Sequence, residues 1–580
     1  MTALIGDAPR RVVRRPQPTR RSQAIFELKA TLLRARRTTL ELGRAPPRLA
    51  RAGAADGFDR LVARSVTPLW SDSSLAETAM QFGKVQNLRR AAAALDGRVL
   101  TPGAVFSFWR HVGRATPGRG FAPGRMLREG CMVAAVGGGL CQLSNALYDV
   151  ALGAGCRIVE RHAHSHRVPG SAAAIGRDAT VAWNYVDLRF EALRPLRLSV
   201  ELNARDLVVS LLARDAGAQP VMARSAAPLA ASLREAASCG SCDQTDCHLH
   251  EHRHGAALAG RAAFLVDEAW PEFAAHVAAA RRPEDAIGLA TARRWSTAGF
   301  AEVYEARLPG VLRALGWRLT APQGAARRSA DARTTAWIAA TLARRLAPDV
   351  TGAVVAQSLL PELWRSGALG GRRFQVLMTR LPMRVLQARL DAAFAVHPDR
   401  PTLADYRADP ALAAAEAEAL AAAEAVITPH AEIAALFGER ATRLDWLAPA
   451  APARAPRPGQ VFAFPGPTVA RKGAFELRDA ARRLAATLRP LGAELEGPGF
   501  WSGLALDPPA AGASWLDGVC AVVLPALAEA APRRLLDALA AGVPVIATAA
   551  CGLDPRPGLT LVPMGDAGAL IAAMATAGSS

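Results

Sequence analysis

The sequence lacks any long apolar run, because no stretch of about 18 uncharged apolar residues occurs anywhere in its 580 residues. We therefore expect no transmembrane helix. The basic N-terminus is not followed by an apolar segment, so a standard secretory signal is not expected either. Aromatic residues make up only 6% of the chain, while Ala and Arg are abundant. This composition favours helix-rich α/β folds over β-sandwiches.

Cysteines are also few for a chain of this length. There are eight, and three of them lie within one short segment. A disulfide framework is therefore not expected, and a reducing compartment is favoured. We expect a cytoplasmic protein that can lie peripherally on the inner face of the membrane.

Positive charge is in excess, with a formal net charge of +19. Residues 1–51 alone hold twelve Arg and one Lys against three acidic residues, which gives +10. Such a balance suits lipid headgroups, nucleotide diphosphates and nucleic acid, and it does not choose among them. Nucleic acid is nevertheless the least expected of the three partners. Heavy use of Arg can equally reflect genomic base composition.

Residues 22–42 are predicted to form a basic amphipathic helix, because apolar residues recur at helical spacing between Ile25 and Leu33. Such a helix either lies on an anionic membrane or packs on the domain that follows it.

The remaining chain separates into segments of different character. Residues 61–215 have dense Gly/Pro punctuation and short strand-like runs, including one at 180–190, around a helix that starts at Cys141. From about residue 257, apolar strands alternate with helices, which indicates buried parallel sheets. The fold class predicted is therefore multidomain, α+β followed by α/β. The predicted segments are an arm and helix at 1–60, an α+β domain at 61–215, a Cys/His-rich linker at 216–256, an α/β domain at 257–447, a Pro/Ala linker at 448–459 and a second α/β domain at 460–580.

The Cys/His-rich linker contains the segment CGSCDQTDCHLHEHRH. Cys239 and Cys242 have the C-x2-C spacing that lets two thiolates reach one metal ion, and Cys247 with a histidine such as His250 can complete four ligands. Zinc suits a tetrahedral site of sulfur and nitrogen ligands, while three thiolates can also hold an iron–sulfur cluster. The other interpretation is a flexible linker that scavenges metal.

Cys141 follows three consecutive glycines at the start of its helix, where partial positive charge favours the thiolate. Three histidines (His162, His164 and His166) come about 20 residues later, followed by Asp178 and Asp187. Cys, then His, then Asp is the chain order of papain-like and transglutaminase-like thiol enzymes. Cys141, His164 and Asp178 are therefore candidate catalytic residues. A ligand-binding site and a purely structural role are the alternatives.

The same region resembles a known family. Five blocks fall in the order of the VanW family, which is named for a member of vancomycin-resistance gene clusters: GKVQNLRRAAAALDG, TPGAVFSFWRHVG, GGGLCQLSNALYDVAL, IVERHAHSHRVPGS and GRDATVAWNYVDLRF. The resemblance covers about residues 65–210. It identifies a domain without implying a reaction.

A second resemblance lies near the C-terminus. The segments FPGPTVARKGAFELRDAARRL and VVLPALAEAAPRRLLDALAAGVPVIATAACGL resemble the donor-binding core of GT-B glycosyltransferases with the retaining Glu-x7-Glu signature. Glu529 matches the first acidic position, but Asp537 stands at the second. Lys472 and Gly473 match the Lys-Gly pair that contacts phosphate. Pro467 replaces the family's arginine, although Arg471 adjoins Lys472.

That resemblance implies a pair of Rossmann-type domains with a nucleotide-sugar site between them. Glu529 would approach the donor sugar, Asp537 would bind ribose hydroxyls, and Arg471, Lys472 and Gly473 would hold the diphosphate without a metal ion. The function expected is transfer of a sugar from a nucleotide-sugar donor to an envelope or capsular glycan, or to a lipid-linked acceptor. The alternatives are a thiol enzyme acting through Cys141 and a non-catalytic scaffold of envelope biogenesis.

Overall fold

The chain divides into two compact units, Met1–Gly260 (unit 1) and Arg261–Ser580 (unit 2). The structure is a computed structural model, and among its described residues no helix has the length and apolar content needed to cross a bilayer. The residues that it describes are 19–52, 56–70, 75–128, 131–164, 176–214, 237–238, 260–290, 295–319, 325–405, 407–452, 455–509 and 514–579.

Unit 1 combines helices with short, mostly antiparallel strands. Its described helices are α1 (Arg20–Leu40), α2 (Leu75–Leu95), α3 (Phe108–Val112) and α4 (Leu140–Gly153). Its described strands are β1 (Arg60–Pro68), β2 (Val99–Leu100), β3 (Val105–Ser107), β4 (Pro123–Arg128), β5 (Cys131–Val136), β6 (Arg157–Glu160), β7 (Arg189–Glu191), β8 (Leu196–Leu202), β9 (Asp206–Ala213) and β10 (Ala237–Ser238).

The core of unit 1 lies between helices and an antiparallel sheet of order β1-β9-β8-β2. Two smaller sheets, β10-β5-β4 and β3-β7-β6, complete the described strands. Leu88 of α2 and Leu147 of α4 are fully buried and join Val209 of the sheet in one apolar cluster. The unit is therefore α+β, as its sequence pattern predicts.

Helix α4 begins where the glycine run predicts. Gly139 caps the helix with a φ of 93°, a left-handed conformation that favours glycine. Gly138 has no room for a side chain, since a Cβ there would lie 2.2 Å from the main-chain oxygen of Gly124. The loop is thus pressed against β4, and Cys141 enters the first turn of α4.

The strand predicted at 180–190 is wrong for most of its length. Only Arg189–Glu191 forms β7, and Ala182 pairs with Val186 across a tight turn instead. The buried carboxylate of Asp187 accepts hydrogen bonds from the main-chain nitrogens of Trp109 and Leu188 and from the Ser107 hydroxyl. These bonds replace the ladder that a strand would have made.

Unit 2 alternates strands and helices. Its described helices are α5 (Pro271–Ala280), α6 (Arg307–Leu319), α7 (Ala325–Arg345), α8 (Leu360–Arg365), α9 (Met383–Val396), α10 (Pro410–Ala422), α11 (Ala431–Phe437), α12 (Ala474–Leu484), α13 (Arg533–Ala540) and α14 (Ala567–Gly578). Its strands form two sheets. The first contains β11 (Arg261–Val266), β12 (Ala286–Leu289), β13 (Glu302–Glu305), β14 (Val350–Ala356), β15 (Arg373–Leu377), β16 (Ala425–Thr428) and β17 (Ala441–Arg443), and the second β18 (Val461–Phe464), β19 (Thr487–Pro490), β20 (Val519–Leu524), β21 (Val545–Ala547) and β22 (Leu559–Leu561).

Both sheets of unit 2 are parallel throughout. The first has the order β13-β12-β11-β14-β15-β16-β17 and the second the order β19-β18-β20-β21-β22. These are the two common strand orders of doubly wound sheets, in which the order of successive strands reverses between β11 and β14 and between β18 and β20. Unit 2 therefore has the paired Rossmann-type architecture that the GT-B resemblance implies.

Polar contacts join the two halves of unit 2. Arg400, before the helical turn at residues 401–403, makes an ion pair with Glu476 of α12. Arg389 of α9 donates from Nη1 to the main-chain oxygen of Leu527 over 3.1 Å. The carboxyl ends of the two sheets are thereby held together by side chains from α9 and the loop after it.

Candidate functional site

The reversal point of the second parallel sheet brings two loops into contact. One loop follows β18 and leads to Arg471 and Lys472, and the other follows β20 and leads to Glu529. The main-chain nitrogen of Leu527 donates to the oxygen of Arg471 over 2.9 Å. At Gly473 a Cβ would lie 2.2 Å from the oxygen of Pro525, so this close approach requires glycine. Ligands of open α/β sheets bind at such a reversal point, beside the strand carboxyl ends.

Lys472 and Glu529 form a buried ion pair at this point. Oε1 of Glu529 also accepts a hydrogen bond of 2.9 Å from the main-chain nitrogen of Ala531. Burial opposes the charge of the carboxylate, but the charge of Lys472 and the hydrogen bond that it donates hold the pKa of Glu529 below its usual value. The structure thus places the two residues predicted for sugar and phosphate next to each other.

Arg471 lies beside this pair, half-buried. Its guanidinium makes no hydrogen bond or ion pair with any described residue of the chain. Burial lowers its pKa, and the charges of Glu529 and Asp405 partly offset that effect. Removing a guanidinium from water without a paired anion is costly, so this position is suited to receive an anion from a ligand.

Asp537 lies on α13, the helix that follows the Glu529 loop. Within the described residues its carboxylate has no hydrogen-bond or ion-pair partner, and burial raises its pKa although Arg534 and Arg533 act in the opposite direction. A half-buried carboxylate with unused acceptor capacity can accept hydrogen bonds from ligand hydroxyl groups. No contact in the structure joins it directly to Glu529.

Two further polar residues, which follow strands of the first sheet of unit 2, were not predicted from the sequence. His430, after β16, is buried, and its Nε2 donates to the main-chain oxygen of Glu529 over 2.9 Å. Glu268, after β11, has a buried Oε2 without a hydrogen-bond partner among the described residues, and burial raises its pKa. Each directly follows a predicted strand, and polar residues at that position are the signal that would have found them.

A separate site lies in unit 1, where Cys141, His164 and Asp178 come together. Nδ1 of His164 lies 3.0 Å from Oδ2 of Asp178, and the ring lies near enough to Cys141 to lower the pKa of its thiol. The Cys141 sulfur lies 3.7 Å from the Thr180 hydroxyl. The spatial order is therefore thiol, imidazole, carboxylate, as in thiol enzymes whose base is oriented by a third group.

The electrostatics of these three groups favour an ion pair. Burial alone would raise the pKa of Cys141, but the hydrogen bond and charge of His164 hold it below its ordinary value. Burial likewise opposes charge on His164, but Asp178 and Cys141 raise its pKa to about 9. For Asp178, burial is outweighed by His164 and Arg161, and its pKa falls to about 2.

Hydrogen bonds from helix α4 and from Arg161 fix the segment that carries Asp178. Asn145 Oδ1 accepts from the Ala179 main-chain nitrogen over 2.7 Å, and Ser144 donates to the Ala179 oxygen over 2.6 Å. Arg161 donates to the main-chain oxygen of Asp178 and to its Oδ1, over 2.8 and 2.9 Å. The segment that carries Asp178 is therefore fixed against the helix that carries Cys141.

The other candidate residues are not brought to this site. His162 is half exposed and faces Glu160, while Asp187 bonds to main-chain nitrogens elsewhere. His166 and the proposed metal ligands Cys239, Cys242, Cys247 and His250 lie outside the described residues. In the described part of the chain, no group of three His, Cys, Asp or Glu residues is placed to hold a metal ion.

Comparison with known proteins identifies part of the chain. Residues 83–212 match the family model described as VanW like protein. The uncharacterized protein YoaR of Bacillus subtilis (strain 168) is 33% identical over 131 residues, which are 22% of this chain and 43% of that protein. The vancomycin B-type resistance protein VanW of Enterococcus faecalis (strain ATCC 700802 / V583) is 34% identical over 124 residues, 21% of this chain and 45% of that protein. The chain thus spans less than half the length of these curated relatives.

Among solved structures, sucrose-phosphate synthase from Thermosynechococcus elongatus aligns with 55% of this chain and 89% of its own, at 15% identity and a TM-score of 0.36. The strand order of unit 2, rather than this score, defines its fold. The chain carries a VanW-like domain over residues 83–212.

Proposed function

We propose that unit 2 transfers a glycosyl group from a nucleotide-sugar donor, with retention of the anomeric configuration. The observation that carries the proposal is the half-buried Arg471, which has no anionic partner in the described chain and adjoins the Lys472–Glu529 pair at the reversal point of a parallel sheet. A diphosphate is an anion that the adjacent cations Arg471 and Lys472 can bind together.

In the proposed reaction the bond between the anomeric carbon and the diphosphate breaks, and a bond to an acceptor hydroxyl oxygen forms. Arg471 and Lys472 stabilise the negative charge that develops on the departing diphosphate. Glu529 lies beside the donor sugar, and Asp537 accepts hydrogen bonds from the ribose. The acceptor hydroxyl passes its proton to an oxygen of the departing diphosphate as the new bond forms, so atoms and charge balance.

The acceptor that we infer is a glycan or lipid-linked glycan of the cell envelope. Support comes from the VanW-like domain, since one relative of that domain is named as a vancomycin resistance protein. The protein would then act in the cytoplasm, at the inner face of the membrane.

Calorimetry with UDP, GDP and ADP on the full chain tests the donor site. Arg471→Ala should weaken binding of the accepted nucleotide by about tenfold or more, because a charged hydrogen bond to phosphate contributes roughly 1.5–3 kcal/mol. Arg482→Ala is the matched control, since Arg482 lies on α12 with an exposed side chain. Absence of nucleotide binding by the wild type at millimolar concentration would overturn the proposal.

A second candidate function belongs to unit 1, where the contact between the Cys141 thiol and His164 favours acyl transfer. The thiolate of Cys141 would attack an acyl carbonyl carbon, and His164 would protonate the leaving group as the thioester forms. An acceptor nucleophile would then release the acyl group, returning its proton to His164.

An activated ester such as p-nitrophenyl acetate serves as a probe for this candidate. Mass spectrometry of the full chain should find one acetyl group on Cys141, and Cys141→Ala should abolish it. Cys520, whose pKa is raised by burial, is the internal control thiol. Equal labelling of Cys520 and Cys141 would remove the thiol-enzyme interpretation. If neither nucleotide binding nor acylation is found, the scaffold interpretation is the one that remains.

A further inference from the structure

Helix α6 presents an unpartnered apolar stripe. Leu308, Leu312, Leu315 and Leu319 recur at i, i+4, i+7 and i+11, which places them on one face of the helix. They are 59%, 40%, 47% and 77% exposed, and Val311 beside them is 59% exposed. Soluble proteins seldom leave such a contiguous stripe in water unless it meets a partner or a membrane.

The opposite face of α6 is the one that packs within unit 2. Pro309 and Gly310 are buried, and Arg313 makes an ion pair with Asp267 after β11. Trp317 donates from its indole nitrogen to Asp331 of α7 over 3.0 Å. The orientation of α6 is therefore fixed by its own neighbours, and the leucine stripe faces outward.

The neighbouring helix α7 adds a tryptophan between two arginines. Arg333, Trp337 and Arg344 are exposed and share one face at i, i+4 and i+11. Neither arginine makes an ion pair with a described residue. Tryptophan is enriched at membrane–water interfaces, where its ring contacts the acyl boundary and its nitrogen stays hydrated.

The charge of this surface distinguishes two partners that could cover it, a second copy of the chain and an anionic surface. Residues 307–345 contain eight Arg and no Lys, and Asp331 is their only acidic residue, so the charge is still +5 when Arg307 and Arg313, which pair with Glu305 and Asp267, are left out. An isologous dimer interface uses the same patch on both copies. A symmetric dimer through this surface would therefore bring two positively charged patches together, and they would repel each other. An anionic surface meets both the charge and the apolar stripe.

We propose that the α6–α7 surface, residues 307–319 and 325–345, docks unit 2 on an anionic lipid bilayer. Helix α6 has 13 residues, too short to span a bilayer, which takes about 20 residues. It lies instead in the plane of the interface, with its leucines among the acyl chains and Arg318, Arg333 and Arg344 among the phosphates. The proposal does not depend on transferase activity.

Sedimentation of the full chain with vesicles tests the proposal. Vesicles of phosphatidylcholine alone are compared with vesicles of phosphatidylcholine and phosphatidylglycerol, each at low and high salt. The wild type should bind the anionic vesicles and be released by salt. The variant Leu308→Gln/Leu312→Gln/Leu315→Gln should bind the anionic vesicles at least about tenfold more weakly. Each substitution removes the free energy gained when a leucine side chain moves from water into the acyl chains.

The matched control is Leu436→Gln/Leu495→Gln/Leu506→Gln, which changes three exposed leucines of unit 2 outside this surface. It should bind as the wild type does.

The charge variant Arg318→Gln/Arg333→Gln/Arg344→Gln should bind more weakly and lose much of the salt dependence. Because all the substituted side chains are exposed, each variant should have the circular dichroism spectrum and the unfolding temperature of the wild type. If the α6 variant misfolds, the charge variant decides the question.

A third variant, Ile25→Gln/Leu28→Gln/Leu32→Gln, alters the exposed apolar residues of α1. If it abolishes vesicle binding while the α6 variant binds normally, α1 is the membrane contact and the proposal for α6 is wrong. The proposal is equally overturned if the wild type binds neutral and anionic vesicles alike. It is overturned as well if the α6 variant changes only from dimer to monomer in size-exclusion chromatography, with vesicle binding unchanged.

Discussion

Nδ1 of His164 lies 3.0 Å from Oδ2 of Asp178, and the same carboxylate oxygen accepts a hydrogen bond of 2.6 Å from the main-chain nitrogen of His164. This double contact fixes both the ring and the backbone of the histidine. Because Nδ1 donates to the carboxylate, the rest of the ring is left to face the Cys141 thiol. The pair therefore orients the imidazole as a base or acid for the sulfur.

The first prediction concerns the reactivity of Cys141. Its alkylation rate should rise with a midpoint below the free-thiol value of about 8.5, because the cationic His164 stabilises the thiolate. In Asp178→Asn the imidazolium loses its partner, so the midpoint should move upward. Peptide mass spectrometry after iodoacetamide treatment reads Cys141 and Cys520 separately. A midpoint equal to the free-thiol value in the wild type would contradict the prediction.

The second prediction concerns acid stability. The pKa of Asp178 falls from 3.8 to about 2 in the folded protein, with burial outweighed by His164 and Arg161. A depressed pKa stabilises the fold above the unfolded value and loses that effect as pH falls through the folded value. The stability advantage of the wild type over Asp178→Asn should therefore be full above pH 3.8 and shrink towards pH 2. Thermal unfolding at several pH values measures it.

An exposed carboxylate supplies the control for that measurement. Asp59 lies on the surface of unit 1 before β1, so Asp59→Asn removes a charge without removing an ion pair. Its difference from the wild type should stay small, because no ion pair is removed. If Asp178→Asn behaves in the same way, Asp178 does not stabilise the fold through its charge.

The third prediction concerns metal content. Cys239, Cys242 and Cys247, with His250, should bind about one equivalent of zinc or hold an iron–sulfur cluster, because their spacing lets several soft ligands reach one metal. These residues lie outside the described part of the chain, so the prediction rests on the sequence. Elemental analysis of untagged full-length protein tests it. Cys239→Ser/Cys242→Ser should lose the metal and Cys520→Ser should keep it; a metal-free wild type with free thiols would contradict it.

The sequence predicted most of the parallel strands of unit 2, because buried strands such as Ala425–Thr428 and Val461–Phe464 are short apolar runs between helices. It missed β12, β13, β17, β19 and β22, each of which has only three or four residues and includes Gly, Pro, Thr or a charged residue. It also left α2 unrecognised. That helix buries Lys84, Asn87 and Arg89 as well as its leucines, so no polar face marks it as amphipathic.

The sites were predictable to different degrees. The order of Cys141, His164 and Asp178 in the chain suggested a site, and only the tertiary fold brings them into contact. His430 could not be linked to Glu529 from the sequence, because the two lie 99 residues apart on different sheets. The stripe on α6 is visible in the sequence, but a core-facing helix has the same periodicity. Only the fold shows that its leucines face outward.

The last prediction separates the roles of the donor-site carboxylates. Glu529→Gln should lower turnover without weakening nucleotide binding, since the proposed contact is to the sugar and the lost ion pair leaves Lys472 free to contact the diphosphate.

Asp537 has the opposite role in the proposal, because a ribose contact is made equally in the ground state and the transition state. Asp537→Asn should therefore weaken nucleotide binding directly.

Asp537→Glu is the sharper test, since it restores the residue that the Glu-x7-Glu signature has at this position. If the pocket has adapted to the shorter side chain, the added methylene should displace the carboxylate and reduce affinity. If the pocket has decayed, Glu should be neutral or should improve binding. Calorimetry with the accepted nucleoside diphosphate measures all three variants, and unchanged affinity in Asp537→Asn would show that Asp537 does not contact the ribose.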